Sequence, residues 1–296
     1  MKKKVKIINI KNIFIVILLI ILVFLLIKFF TVKKGKNDTS KTENIEQVNI
    51  EENKTNEVDE TKEQAKSLLE EKLETGNTLG EEGLPVLMYH FFYDKANGEG
   101  KDGNWIEIAN FEEQMKYLAE NEFYFPTWQE VEDYIDGKQE LPEKSVVITV
   151  DDGDPSFFEL AVPIIQKYKI PTTSFVVTYW YGNRASDKQE YVDYQSHSYD
   201  MHKAGANGKG VMLSWDYDKI KEDVLLSSEV LGGANIFCYP FGQYNDLDIR
   251  ALKENGYKLA FTTQAGRVKK GVSKYELPRV RVSGNTSLAS FISKVE

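Results

Sequence analysis

Cysteine is almost missing from this chain: Cys238 is the only one in 296 residues. No internal disulfide can form, and no group of thiolates exists to hold zinc or an iron–sulfur cluster. That excludes the disulfide-dense scaffolds of small secreted proteins, and it leaves Cys238 as a buried, inert thiol. Histidine is scarce as well, with His90, His197 and His202 the only three. Positive charge is in deficit, since 37 Lys and Arg stand against 46 Asp and Glu for a formal net charge of -9. A broad basic footprint for nucleic acid is therefore excluded, and no nucleic-acid partner is expected. What is present is a globular composition, 42% hydrophobic and 28% charged, with 16 Tyr, 16 Phe and 4 Trp.

The amino end differs from the rest. Residues 13–27 read IFIVILLIILVFLLI, followed by Lys28, Phe29 and Phe30. An apolar stretch of this kind approaches the roughly 20 residues that span a bilayer, and Lys28 can snorkel to the headgroups. Lys2, Lys3, Lys4, Lys6 and Lys11 precede it and are expected to stay in the cytoplasm. A cleaved signal peptide is the alternative, but Phe29-Phe30-Thr31-Val32-Lys33 offers no small residues for cleavage. The expectation is a cytoplasmic tail and uncleaved transmembrane anchor over 1–36, inserted through residues 13–30. It implies a single-pass protein of the cell membrane with an extracellular catalytic domain. Residues 37–83 are acidic and poor in large apolar side chains, and read as a flexible, disordered linker. A short helix is expected from Thr61 to Glu74, with Ala65, Leu68, Leu69 and Leu73 on one side.

From 84 to 296, strand-like and helix-like patterns alternate. Short apolar runs such as LPVLMYH, SVVITV, TTSFVVT and YKLAFTT are separated by helical periods such as FEEQMKYLAEN, where Phe111, Met115 and Leu118 fall in register. This alternation argues for an α/β domain with a parallel sheet, open or closed into a barrel. The active site of such a fold gathers at the carboxyl ends of its strands.

One apolar strand ends in Asp151-Asp152-Gly153-Asp154. Carboxylates packed this closely repel one another unless a cation or a shared proton relieves them. Asp154 fits a helix cap ahead of Pro155, but Asp151 and Asp152 have no such use. His197 and His202 lie five residues apart, off-register for one face of a helix and better suited to a strand end and loop. Two histidines and a carboxylate make a common open hydrolytic metal site, which points to Asp152, His197 and His202. Adjacent residues on an extended strand point to opposite sides, so one Asp should ligate and the other act as base. A separate acid must protonate the leaving group, and His90, ending the first strand, can reach the same mouth.

These residues resemble the polysaccharide deacetylases, the NodB-like carbohydrate esterases, over essentially residues 84–282. The resemblance implies an irregular (β/α)7 barrel, here preceded by the transmembrane helix and the linker. It implies Asp151 as catalytic base and Asp152, His197 and His202 as ligands of a divalent metal, with zinc the conservative choice. Many members space the two histidines by four. The five-residue spacing is similar to that of the branch acting on poly-N-acetylglucosamine, the biofilm polymer. In that branch the catalytic acid comes from an early Met-Tyr-His, matched by Met88-Tyr89-His90. The implied activity is metal-dependent deacetylation of N-acetylglucosamine units in an extracellular polysaccharide, cell-wall peptidoglycan or poly-N-acetylglucosamine. The alternatives are an O-acetyl esterase and a non-catalytic carbohydrate-binding surface protein. Two positions depart from the family pattern. Asp154 follows the Asp-Asp-Gly where a Tyr is usual, and Cys238 stands where an Arg would orient the base, with Arg279 or Arg281 as possible stand-ins. Trp128, Tyr179, Trp180, Trp215 and Tyr239 are candidate sugar platforms.

Overall fold

Runs of three to seven residues, most of them rich in apolar side chains, become the strands. In chain order they are β1 (Val86–Tyr89), β2 (Phe91–Tyr93), β3 (Trp105–Glu107), β4 (Val147–Val150), β5 (Thr172–Val176), β6 (Val192–Ser196), β7 (Ile236–Cys238), β8 (Leu259–Ala265) and β9 (Leu277–Arg281). The computed structural model describes residues 67–74, 76–205 and 208–296. The architecture is that of the unit Leu69–Glu296; of the other unit, Met1–Leu68, only Ser67 and Leu68 are described. β2 and β3 pair with each other alone, and the other seven strands form one parallel ladder in the order β1-β4-β5-β6-β7-β8-β9. β1 also bonds β9, at Leu87↔Val280 and Met88↔Arg281.

All four residues of β4 are buried, as expected of a parallel strand covered on both faces. Ile148 and Val150 pack with Phe111, Met115 and Phe157 on the helical side. Val147 packs with Val86, Phe175, Phe261 and Leu277 in the interior of the ring. Leu69, in the helical stretch 67–74, is buried in this second cluster.

The helices used below are α1 (Ile108–Glu120), α2 (Trp128–Ile135), α3 (Val162–Tyr168), α4 (Thr178–Ala185), α5 (Tyr217–Val230), α6 (Asp246–Glu254) and α7 (Leu288–Val295). α1 buries Phe111, Met115 and Leu118, the stripe read from its period. α3 does not run cleanly from Pro155. A π-helical turn, Phe157–Ala161, precedes it. Pro163 lacks the N–H that a regular helix needs and its ring would crowd the preceding turn, and a wider turn absorbs both defects.

Two expectations need correction. The irregular (β/α)7 barrel expected from the sequence is not what forms, because the sheet is open at one seam. β6 meets β7 through one register pair, Ser196↔Phe237, and the side chain of Gln195 bridges the seam instead. Its Oε1 accepts from the amides of Asn235 at 3.1 Å and Ile236 at 2.9 Å. The β8–β9 ladder also shifts register between Phe261 and Ala265. A side chain that satisfies strand amides takes the place of the neighbouring strand, so the sheet curls round but its bonding is interrupted.

The second correction concerns the membrane. The anchor expected at residues 13–30 lies outside the described residues. Among the described residues no helix is long and apolar enough to cross a membrane. The described helices are short and one-sided: α5, at 14 residues, buries only Ile220, Asp223, Val224 and Ser227, against the roughly 20 apolar residues a span requires. The transmembrane and signal-anchor reading, the membrane as partner through residues 13–30, and the single-pass cell-membrane location find no support among the described residues.

Candidate metal centre and catalytic site

Period-two alternation along β4 aims Val147 and Thr149 into the ring, and Asp151 follows them. Asp151 is 1% exposed. It is clamped by Arg279 from β9, whose two Nη atoms each donate to a carboxylate oxygen at 2.7 Å. Arg279 is completely buried. Its remaining donors reach Thr149 Oγ1 at 3.0 Å, the Thr262 carbonyl at 3.0 Å and Cys238 Sγ at 3.0 Å. Arg281, the other stand-in considered, lies at the rim and donates to Asn104 Oδ1. The cation that the family draws from the Cys238 position thus comes from Arg279, and Cys238 packs beside it. Burial alone would raise the Asp151 carboxyl, but the guanidinium outweighs it and holds the group well below the usual carboxylate range.

Asp152 does not point away from Asp151. Its φ is +74°, and that of Gly153 is +75°. Two consecutive left-handed residues end the extended alternation and turn the second carboxylate into the same mouth. Asp tolerates that conformation better than most side chains. Gly153 is needed beside it, because a Cβ there would stand 3.0 Å from Val176 Cγ1.

His197 continues β6 and is 2% exposed. Its Nδ1 lies 2.7 Å from the Cys238 carbonyl; a carbonyl only accepts, so Nδ1 carries a proton and Nε2 is the nitrogen turned toward Asp152. That Nε2 is 3.4 Å from Asp152 Oδ1, and His202 Nε2 is 3.3 Å from the same oxygen. Burial, followed by the neighbouring His197, pulls His202 down to about 4, which leaves its imidazole neutral as a metal ligand must be.

Asp152 Oδ1 is buried and has no hydrogen-bond partner. A carboxylate oxygen facing two imidazole nitrogens calls for a cation between them. Ligands about 2.1 Å from a tetrahedral ion stand roughly 3.4 Å apart, which the two measured separations match. Asp152, His197 and His202 therefore fit a divalent ion. Asp151, His197 and Cys238 also lie close together, but the Arg279 guanidinium already supplies the cation there.

His90, half-buried after β1, places Nε2 3.8 Å from Asp151 Oδ2. Burial lowers its pKa, against the pull of the Asp151 charge. Asp154 is spent on structure, its Oδ1 accepting from the Ser156 amide at 2.8 Å. Of the aromatic candidates, Trp180 stands at the mouth, edge-on to His202 at 5.4 Å, and Tyr179 beside it is 58% exposed. Trp128 packs on Phe175 and Phe261. Tyr239 is buried and stacked on Tyr244, and Trp215 lies under Lys219. Phe241 was not anticipated. It is 44% exposed with its ring 4.4 Å from that of His202, on a left-handed φ of +58°. Its place in the turn Pro240-Phe241-Gly242 was the available signal.

Fold and site together define a metal-dependent hydrolase of the α/β class. A profile described as "Polysaccharide deacetylase" matches residues 138–260. The chain is 30% identical over 199 residues to the poly-beta-1,6-N-acetyl-D-glucosamine N-deacetylase of Staphylococcus epidermidis, spanning 61% of this chain and 68% of that one. It is 27% identical over 213 residues to the enzyme of that name from Staphylococcus aureus (strain MRSA252), spanning 66% and 73%. Among solved structures it resembles IcaB from Ammonifex degensii, with a TM-score of 0.63, 26% identity, and coverage of 74% of this chain and 99% of that one. The Streptococcus pyogenes deacetylase PplD shares the fold, with a TM-score of 0.63 at 21% identity over 75% of this chain and 99% of that one. The chain belongs to the polysaccharide deacetylase family.

Proposed function

We propose that this chain hydrolyses the N-acetyl groups of N-acetylglucosamine units in a polysaccharide, with a β-1,6-linked polymer as the preferred class and zinc as the metal. The observation that carries the reading is the unpartnered, buried Asp152 Oδ1 between two imidazole nitrogens, beside a carboxylate fixed by Arg279. The 3.3 and 3.4 Å separations favour a tetrahedral ion, hence zinc.

In this mechanism Asp152, His197 and His202 would hold the ion, and a bound divalent ion would polarise the acetyl carbonyl and acidify a water. Asp151 is the base: Arg279 keeps it ionised and fixes the direction of its oxygens, so it accepts the proton of the attacking water. Low basicity suffices when the proton donor has been strongly acidified. His90 is the acid. It is neutral at rest, gains a proton at Nε2 from the Asp151 side, and delivers it to the departing glucosamine nitrogen as the C–N bond breaks. Water oxygen ends in acetate and the sugar leaves as an amine. Trp180 and Phe241 flank His202 and offer apolar faces to the sugar ring.

The test is acetate release from poly-β-1,6-N-acetylglucosamine, chitin oligomers, peptidoglycan and acetylated xylan, each with zinc and after chelation. Release from the glucosamine polymers that stops on chelation and returns with zinc is expected. Undiminished release after chelation, or faster release from xylan than from every glucosamine polymer, would overturn the reading.

A further inference from the structure

α5 carries a buried carboxylate that the chemistry above does not use. Asp223 is 6% exposed. Its Oδ1 accepts the amide of Tyr199 at 2.8 Å, and its Oδ2 accepts the amide of Asp200 at 2.8 Å. Those two amides lie in the span that joins His197 to His202. Both hydrogen bonds are charge-assisted, the stronger kind.

The two histidines are not held alike. His197 extends a strand, its amide bonded to the Val176 carbonyl at 3.0 Å and its ring to the Cys238 carbonyl. His202 sits between the rings of Trp180 and Phe241, and its place is set by the path of the chain leading to it. That path is bent: Ser198 has φ +75°. Short contacts hold the bend, with the Met201 amide on Ser198 Oγ at 3.1 Å and the Thr178 amide on the Ser198 carbonyl at 3.1 Å. Ser227, one turn after Asp223 on α5, shares a 2.7 Å bond with Ser196 Oγ. One face of α5 therefore grips the span at Ser196, Tyr199 and Asp200, and Asp223 provides two of the three contacts.

We propose that Asp223 is a positioning residue that holds the Tyr199–Asp200 turn so that His202 Nε2 meets Asp152 Oδ1, coupling metal affinity to helix α5. This rests on the assignment of Asp152, His197 and His202 as metal ligands. Asp223→Asn keeps the volume and one acceptor but turns an N–H donor against a backbone amide.

The experiment measures zinc affinity of the whole protein by competition with a chromophoric chelator, alongside thermal melting of the metal-free form and acetate release at saturating zinc. Asp248→Asn serves as control, since it alters a buried carboxylate that caps α6 and touches no ligand loop. The expected result for Asp223→Asn is roughly 10–100-fold weaker zinc binding, with kcat at saturating zinc within a few-fold of the parent. Asp248→Asn should bind zinc as the parent does. If Asp223→Asn fails to fold, Asp223→Glu, which keeps both acceptors one methylene further out, is read the same way. Parent-like zinc affinity in the Asp223 variant, or equal losses in both variants, would overturn the proposal. Failure of the metal assignment itself shows separately, as absence of zinc binding by the parent chain.

Discussion

Replacing Arg279 by methionine tests the interior of the site most directly. Arg279 and Asp151 are 0% and 1% exposed, so solvent does not screen the pair. Methionine roughly fills the stem of the arginine and removes every donor. Asp151 is then left as an uncompensated charge, and breaking a buried pair in this way costs about 3–5 kcal/mol. The chain has one escape, which is to protonate Asp151. With the guanidinium gone, burial becomes the dominant influence on that carboxyl, against the smaller pull of His90 and His197, and pushes it up. Two consequences follow. The variant should lose about 3–5 kcal/mol in urea unfolding of the metal-free protein, and acetate release should collapse, with the acidic limb of its pH profile displaced upward. Adding Asp151→Asn removes the stranded charge, so the double variant should regain at least about 2 kcal/mol over Arg279→Met while staying inactive. Chelated protein is used so that metal binding does not mask the change. A loss below about 1 kcal/mol in Arg279→Met, or a double variant less stable than the single one, would refute the argument.

Gly242→Ala should be severe for a steric reason. A Cβ there would fall 2.1 Å from Thr263 Oγ1 and 2.7 Å from the Thr263 amide nitrogen, at φ +68°. A cost of about 3 kcal/mol, read as a melting temperature roughly 6–12 °C lower, is expected; a shift under about 2 °C would show that the turn can yield. Asp248 supplies a pH signature. Burial pushes it up to about 6, and its Oδ1 has no partner while Oδ2 takes the Asn245 amide at 2.8 Å. The folded state holds this proton more tightly than the unfolded one. Its contribution to stability is therefore fullest below the ordinary carboxylate range and is lost as pH rises through about 6, by about 3 kcal/mol in all. Asp223, pushed up to about 6 by burial, acts in the same sense, and His202, pulled down to about 4, acts in the opposite one, so the quantity read is the difference in stability between parent and Asp248→Asn, which should change by about 2 kcal/mol between pH 4.5 and 7.5 in urea titrations. An unchanged decline in the variant counts against the assignment.

The parts of the site legible in sequence are those where chemistry interrupts a pattern. An apolar strand that runs into Asp151 and Asp152, and two of only three histidines five residues apart, are local signals. His90 was legible because it terminates an apolar run. The stripe of Phe111, Met115 and Leu118 was legible because a helix of that length has one way to bury it. The relative direction of Asp151 and Asp152 departs from strict alternation for a definable reason. Alternation holds only while the backbone stays extended, and Asp152 leaves it at φ +74°. The clue was the adjoining Gly153, since an Asp-Gly step after a strand is where a left-handed turn belongs.

Arg279 and Asp223 mark the harder limit. Arg279 and Arg281 share one face of β9 by parity, so period-two reasoning cannot choose between them. Depth of the side chain chooses: Arg279 is buried and reaches Thr149 and Asp151, whereas Arg281 is exposed and donates to Asn104. Depth is a property of how seven strands stack, and no single strand encodes it. The family profile ends at residue 260, short of both arginines. Asp223 did leave a trace. It lies on the stripe of Ile220, Val224 and Ser227 that α5 buries, and an acid on an apolar stripe needs a partner. What the stripe cannot say is that the partners are two amides between the proposed metal ligands. Long-range polar contacts of this kind join segments that become neighbours only once the sheet has curled, so the proposed ligands show in the sequence as local breaks of pattern, whereas the contacts that aim them do not.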